Sequence, residues 1–421
     1  MEKYIKNATD HRKILYFLSF TIIFFYLTAF ALCPVQEIYV GMKNIIFSRD
    51  LLITDYFMLA GMGGAFFNAA LVMSFTLATL LSLKLTFAGN TLATVMIMGG
   101  FALFGKNPVN IFPIILGTFI YAKFQKVSPS RYIYTAFLAT GVAPIISELG
   151  FILPFSPPVN WLIAALCGML IGFLIPSLSA HTASMHMGYN LFNVGFAVGI
   201  LALCVVSVVR SLGFVSESVF IWKYGAPLWL CLWLAAYFAC AIVYGLYLCD
   251  FKLSPALNIL KHPGRAVADF VIMDGVGAAM VNMGGVGLMG LCYILIIGGD
   301  LSGPVVGALL TIFGFGAFGI HPKNYLPVMG GVYLSTFIKT FSPTTPSMQL
   351  AALFCGALAP ISGQFGVVAG MVAGFLHASV VTNLGVVYSG LNLYNNGFSA
   401  GFVALVMLPV IESFIKRFKD K

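Results

Sequence analysis

Gly390-Leu-Asn-Leu-Tyr-Asn-Asn-Gly-Phe-Ser-Ala-Gly401 has a twin near the middle of the chain, Gly188-Tyr-Asn-Leu-Phe-Asn-Val-Gly-Phe-Ala-Val-Gly199. Seven identities share one spacing: Gly188/Gly390, Asn190/Asn392, Leu191/Leu393, Asn193/Asn395, Gly195/Gly397, Phe196/Phe398 and Gly199/Gly401. Each copy runs straight into an apolar stretch long enough to cross a bilayer. The twin therefore marks an internal repeat, and it places two amides at each of two helix entrances.

The repeat extends outward from there. At a constant offset of 214, Asp55, Gly61, Gly63 and Asn68 match Asp269, Gly275, Gly277 and Asn282. At the same offset Gly89, Phe104-Gly105, Pro108, Asn110, Pro113, Gly117 and Ser128-Pro129 match Gly303, Phe318-Gly319, Pro322, Asn324, Pro327, Gly331 and Ser342-Pro343. At offset 216, Ala143-Pro144-Ile145 and Gly150 match Ala359-Pro360-Ile361 and Gly366. At offset 202, Gly168-Met169 and Gly172-Phe-Leu174 match Gly370-Met371 and Gly374-Phe-Leu376. The change of offset means about fourteen extra residues in the first half, which fits the Pro-rich Phe151–Asn160.

Composition sets the medium. Of 421 residues, 60% are hydrophobic and 8% charged, with a mean hydropathy of +0.99. Soluble domains carry about 25% charged residues, so the chain reads as a polytopic, all-α integral membrane protein. Its net charge of +9 sits at the ends of apolar runs, where cytoplasmic loops carry Lys and Arg, and does not point to nucleic acid. Lys3, Lys6, Arg12 and Lys13, with Lys416, Arg417, Lys419 and Lys421, put both termini in the cytoplasm. The first apolar run, Ile14–Cys33, lacks a small-residue cleavage site and reads as a retained helix. Eight cysteines show no CxxC and no Cys/His cluster, so neither disulfides nor a metal or other cofactor is expected.

Counting segments gives about seven per half: residues 1–210 as a first repeat, 211–225 as a connector and 226–421 as a second repeat. An odd number inverts the second half relative to the first. The range is 10–14 membrane segments, because several runs are too short for a straight crossing and read as half-helices or re-entrant. Alternation puts Lys84, Lys123–Arg131 and the Lys252–Arg265 loop inside. Lys43, Arg49, Lys106 and Lys339 land outside and disagree. Inverted repeats with broken helices place a solute near the bilayer midplane.

Several polar residues stand where an unpaired group is expensive. Asn190 and Asn193, with Asn392 and Asn395, would share one face of a helix start, beside Phe196 and Phe398. Asn68 and Asn282 form a second pair. Glu148 aligns with Gln364, each close behind an Ala-Pro breaker, and together they would suit a near-neutral solute. Asp274, inside an apolar run and aligned with Ala60, is the candidate for proton or cation coupling; the plainer reading makes it a helix cap. No Walker motif, GxSxG, HExxH or paired catalytic carboxylate is present, so no enzymatic activity is expected.

Taken whole, the chain resembles an uncharacterised family of bacterial polytopic membrane proteins, a domain of unknown function. Locally it resembles the urea-transporter family. Gly188–Gly199 and Gly390–Gly401 stand where that family repeats Gly-Leu-Tyr-Gly-Phe-Asn-Gly-x-Leu-Val-Gly, and Pro113-Ile-Ile-Leu-Gly-Thr118-Phe119 echoes its Pro-Phe-Val-Leu-x-Thr-Trp. Pro327-Val-Met-Gly-Gly-Val-Tyr333 is a poorer second copy. That resemblance implies a pore between inverted repeats, flanked by amides and aromatics, in a homo-oligomer. The expected function is a channel or transporter for a small polar solute in the cytoplasmic membrane. The alternatives are an Asp274-coupled secondary transporter and a non-transporting subunit of a larger complex.

Overall fold

The structure is a computed structural model that describes residues 2–214 and 219–419, with side chains described except at 2–9, 386 and 417–419. Lys3, Lys6, Arg417, Lys419 and Lys421 of the charge reading lie outside those side chains, and residues 215–218 of the connector lie outside the described chain.

Every named element is helical. In the first half α1 is Glu2–Leu32, α2 Gly61–Ser82, α3 Gly89–Phe101 and α4 Pro108–Phe124. Then come α5, Ile133–Ile152, α6, Pro157–Met185, and α7, Asn193–Ser211. In the second half α8 is Leu228–Leu248, α9 Val276–Ile296, α10 Gly303–Phe315 and α11 Pro322–Ser335. The chain ends with α12, Pro346–Phe365, α13, Val367–Val387, and α14, Asn395–Lys419. Among the described residues ten helices are long and apolar enough to cross a membrane. The other four of this set, α3, α4, α10 and α11, have 13, 17, 13 and 14 residues. At 1.5 Å per residue they rise roughly 20–25 Å, short of a ~30 Å hydrocarbon core.

Breaks fall where the sequence forbids a straight helix. Gly61 and Gly275 take φ of +71° and +93°, a region glycine enters at no steric cost. They split off the short helices Tyr56–Leu59 and Phe270–Asp274 from α2 and α9. Between α3 and α4 the chain turns at residues 102–107, and Asn107 caps α4 by accepting from Val109 and Asn110 N–H, both at 3.0 Å. His321 caps α11 in the corresponding place, accepting from Asn324 N–H at 3.2 Å. Pro108 and Pro322 open these helices, where a missing N–H costs nothing.

The halves interlock through their matched positions. Asp55 caps its own short helix at Phe57 N–H, 2.9 Å, and also accepts from Gly303 N–H at 3.0 Å, the first residue of α10. Asp269 reciprocates on α3, accepting from Gly89 at 3.0 Å and Asn90 at 3.3 Å. Along α3 and α10, a Cβ built on Gly100 would lie 2.5 Å from the Gly307 carbonyl oxygen. Only glycine lets these backbones approach so closely. The end of the connector lies over the Asp55 end: Ile221 bridges Thr54, and Trp222 Nε1 donates to Asp300 at 2.9 Å.

Three of the four cations that dissented from the topology have partners inside the protein, whereas Lys43 is exposed. The Arg49 guanidinium donates from Nε to Glu148 Oε2 at 2.8 Å, and Lys339 Nζ donates to the Phe375 carbonyl at 2.9 Å. Lys106 is fully buried. A loop-charge rule counts cations in water near the membrane surface, and these three are not of that kind.

Candidate functional site

The twin motifs meet. A Cβ built on Gly195 would sit 3.0 Å from Gly397 Cα, and the Phe196 and Phe398 rings lie 5.6 Å apart. Asn193 and Asn395 open α7 and α14, whereas Asn190 and Asn392 precede the helices in turns. Each turn asparagine accepts from the N–H two residues on, Phe192 or Tyr394, at 2.9 Å. Asn190 Nδ2 also crosses the halves to the Gly397 carbonyl at 3.1 Å. The turns dock on α12 and α5 through Leu191 N–H to Ala357 O and Leu393 N–H to Gly141 O, both 2.9 Å.

Beside this junction lies a cavity of about 550 Å3. The first turns of both helices border it, through Asn193, Gly195, Asn396 and Gly397. Its flanks come from α3 (Asn90, Thr94, Phe101) and α5 (Tyr134, Thr135), and an aromatic wall from Phe192, Phe315, Phe354 and Tyr394. Exposed Met187 and Val267 stand at its rim. His186 is the one titratable side chain on the wall besides the tyrosines.

Of the residues expected from the sequence, Asn190 and Asn193 line this cavity. The Asn193 amide is saturated by protein. Its Oδ1 accepts from Thr182 Oγ1 at 2.8 Å and pairs with His186 Nε2 at 2.9 Å, while Nδ2 donates to Ser179 O at 2.9 Å and Oγ at 3.0 Å. Because Oδ1 can only accept, His186 carries its proton on Nε2, and Nδ1 is left to accept from Asn190 N–H at 3.4 Å. In the second copy Tyr388 replaces His186 at offset 202. There the Asn395 Oδ1, Tyr388 hydroxyl and Asn392 Nδ2 are buried with no hydrogen-bond partner among the described residues.

The other expected residues are placed elsewhere. Asn68 Nδ2 donates to Ala102 O at 2.7 Å and Lys106 O at 2.8 Å, and Asn282 Nδ2 to Gly316 O and Ile320 O at the same two distances. These amides hold the breaks that follow α3 and α10. Phe196 and Phe398 pack at the α7–α14 crossing behind the wall. Glu148 is paired with Arg49, and Gln364 is exposed, so the two do not share a site. Asp274 ends its short helix, accepting from Asn258 Nδ2 at 2.6 Å and pairing with His262 Nε2 at 2.9 Å, outside the cavity wall.

The sequence reading passed over a buried polar group at each face of the first break. Asp50 Oδ1 accepts from Tyr56 OH at 2.6 Å, and Oδ2 from Ser147 Oγ at 2.7 Å, Asn110 Nδ2 at 3.1 Å and Asn107 Nδ2 at 3.2 Å. Lys106 Nζ donates to Tyr394 OH at 2.6 Å. The signal for Lys106 was its disagreement with the charge rule. Among the described residues no group of three or more His, Cys, Asp or Glu is placed to hold a metal ion.

Fold and composition define a multi-pass helical membrane protein with an internal cavity at a junction of two helix starts. The chain belongs to the family described as "Protein of unknown function (DUF1576)", which it matches over residues 35–211 and 250–413. No curated protein and no solved structure matches it.

Proposed function

We propose that this protein moves a small polar solute across the cytoplasmic membrane through the cavity at the twin-motif junction. The observation that carries the reading is the cavity itself: about 550 Å3, bordered by the N-terminal turns of two helices from opposite halves. Helix starts inside a membrane present unpaired N–H groups and a positive dipole end to a polar solute. The reciprocal capping of α10 by Asp55 and of α3 by Asp269 supports an inverted arrangement of the halves. Each carboxylate lies at the start of one helix pair and touches the first residue of the other pair's short helix.

The test is flux into liposomes carrying the purified protein, over urea, glycerol and short carboxylates, with and without a proton gradient. Flux above protein-free liposomes for at least one solute is expected. None from folded protein would sink the transport reading in favour of a subunit role. Uphill uptake that Asp274→Asn abolishes would move the mechanism to a coupled transporter.

A further inference from the structure

We propose that the solute is a small organic anion, a carboxylate on a short apolar body, and that Lys106 and Tyr394 select for its charge. This rests on the transport reading above. Lys106 is fully buried, with Nζ 2.6 Å from the Tyr394 hydroxyl, 3.4 Å from Met98 Sδ, and over the Phe101 and Tyr394 rings at 5.3 and 4.7 Å. It belongs to none of the ion pairs among the described residues. A buried lysine holds its charge only where a counter-charge offsets the cost of desolvation, and an anion in the adjoining cavity would supply one.

The architecture does not call for it. Lys106 corresponds to Ile320 at offset 214, and Tyr394 to Phe192 at offset 202. The second half therefore builds the same break and the same turn from an isoleucine and a phenylalanine. The cation and its phenol are an addition on one side of the junction, and the cavity is walled from both sides, by Phe101 and Tyr394 here and by Phe192, Phe315 and Phe318 opposite.

Phe101 and Tyr394 both line the cavity, and Lys106 Nζ lies against both of them, directly behind that wall. Lys106 has protons to donate and no lone pair when charged, so the Tyr394 oxygen accepts. The phenol proton is then left to donate, and the ammonium polarises it. The carboxylates near the break are committed elsewhere: Asp50 to four donors, Glu148 to Arg49, Asp55 and Asp269 to backbone N–H groups. None of these acids lines the cavity. An apolar, aromatic wall with two helix starts, backed by one buried lysine and its phenol partner, fits an organic acid in its anionic form. A neutral amide or polyol would leave Lys106 without a counter-charge.

The experiment compares wild type with Lys106→Ile/Tyr394→Phe, which installs the counterpart pair, and with Tyr394→Phe alone. Proteoliposomes on a solid-supported membrane are challenged with sodium formate, acetate and lactate, and swelling assays follow urea and glycerol. Wild type is expected to carry at least one carboxylate faster than either neutral solute. The double variant should lose that flux about tenfold or more, the size of one charge-assisted hydrogen bond, while its thermal unfolding midpoint in detergent does not fall. If wild type passes urea or glycerol but no carboxylate, the anion proposal falls and transport stands. Carboxylate flux within twofold of wild type in the double variant also overturns the proposal. No flux of any solute from folded wild type overturns both readings. Should the double variant fail to fold, Tyr394→Phe decides, and unchanged carboxylate flux there counts against the pair.

Discussion

Asn68 and Asn282 each direct both amide protons at two carbonyls of a helix break, so neither has a donor left for a solute. Asn68→Ala would leave Ala102 O and Lys106 O unpaired in a buried place, at about 1–3 kcal/mol each. A clear drop in unfolding midpoint and in yield is expected from size-exclusion and thermal-shift measurements; wild-type stability would show that water replaces the amide. Asp55 makes a second residue-scale prediction. Burial pushes its carboxyl up to about 6, although the Lys223, Phe57 and Gly303 N–H groups hold it down. A carboxyl raised above its ordinary 3.8 stabilises the fold most when protonated, and that contribution fades as pH climbs through about 6. The unfolding midpoint should therefore rise between pH 7 and pH 5.5, and Asp55→Asn should flatten part of the rise. At this scale the sequence was a partial guide. Recurrence picked out the asparagines, yet whether an amide faces a carbonyl or a cavity depends on which chain crosses beside it, and spacing holds no such information. Lys106 and Tyr394 escaped because recurrence was the criterion, and they matter for not recurring.

Helices in this protein cross where glycines coincide. Gly195 and Gly397 face each other at the α7–α14 crossing, and Gly199 and Gly401 receive the Phe398 and Phe196 rings of the opposite copy. Gly397→Val would set a branched side chain against the Gly195 backbone, a clash that overpacked cores relieve at roughly 1–3 kcal/mol or more. It would also shift the first turn of α14 along the cavity. Loss of flux together with a lowered unfolding midpoint is expected, and a variant with both intact would mean that the crossing does not set the site. The segment boundaries were legible because hydropathy and the repeat agree on them: the seven runs counted in each half correspond to α1–α7 and α8–α14. Glycine marks the break after the short helix Tyr56–Leu59, at Gly61, and after Phe270–Asp274, at Gly275, where hydropathy shows none, since an apolar residue before a break looks like one after it. The 3-10 turns inside α5 and α12, at Thr140–Val142 and Cys355–Leu358, were not visible either. Their apolar residues fit a continuous helix equally well.

At the scale of the whole molecule, the contacts between the halves argue for inversion, and inversion has a direct consequence for sidedness. Lys84 lies between α2 and α3, and Gly298 lies at the same place between α9 and α10, at offset 214. Both are exposed, with φ of +52° and +69°. Lys84 shows that this turn accepts a side chain, so Cys is tolerated at either position. Asp269 at the start of the second half's α9 unit holds Gly89, just past Lys84, while Asp55 at the start of the first half's α2 unit holds Gly303, just past Gly298. The start of each unit is thus beside the end of the other, as an arrangement with α2 and α9 in opposite directions requires. In a background without the eight native cysteines, Lys84→Cys and Gly298→Cys should react with an impermeant maleimide from opposite faces of the membrane. Labelling of Lys84→Cys only in inverted vesicles and of Gly298→Cys only in intact cells is the expected pair. Both labelled from one face would make the repeats parallel, and the two helix starts at the cavity would then point the same way. With opposite labelling, the starts of α7 and α14 would approach one cavity from opposite sides, so that their positive ends converge on the solute that Lys106 would also attract.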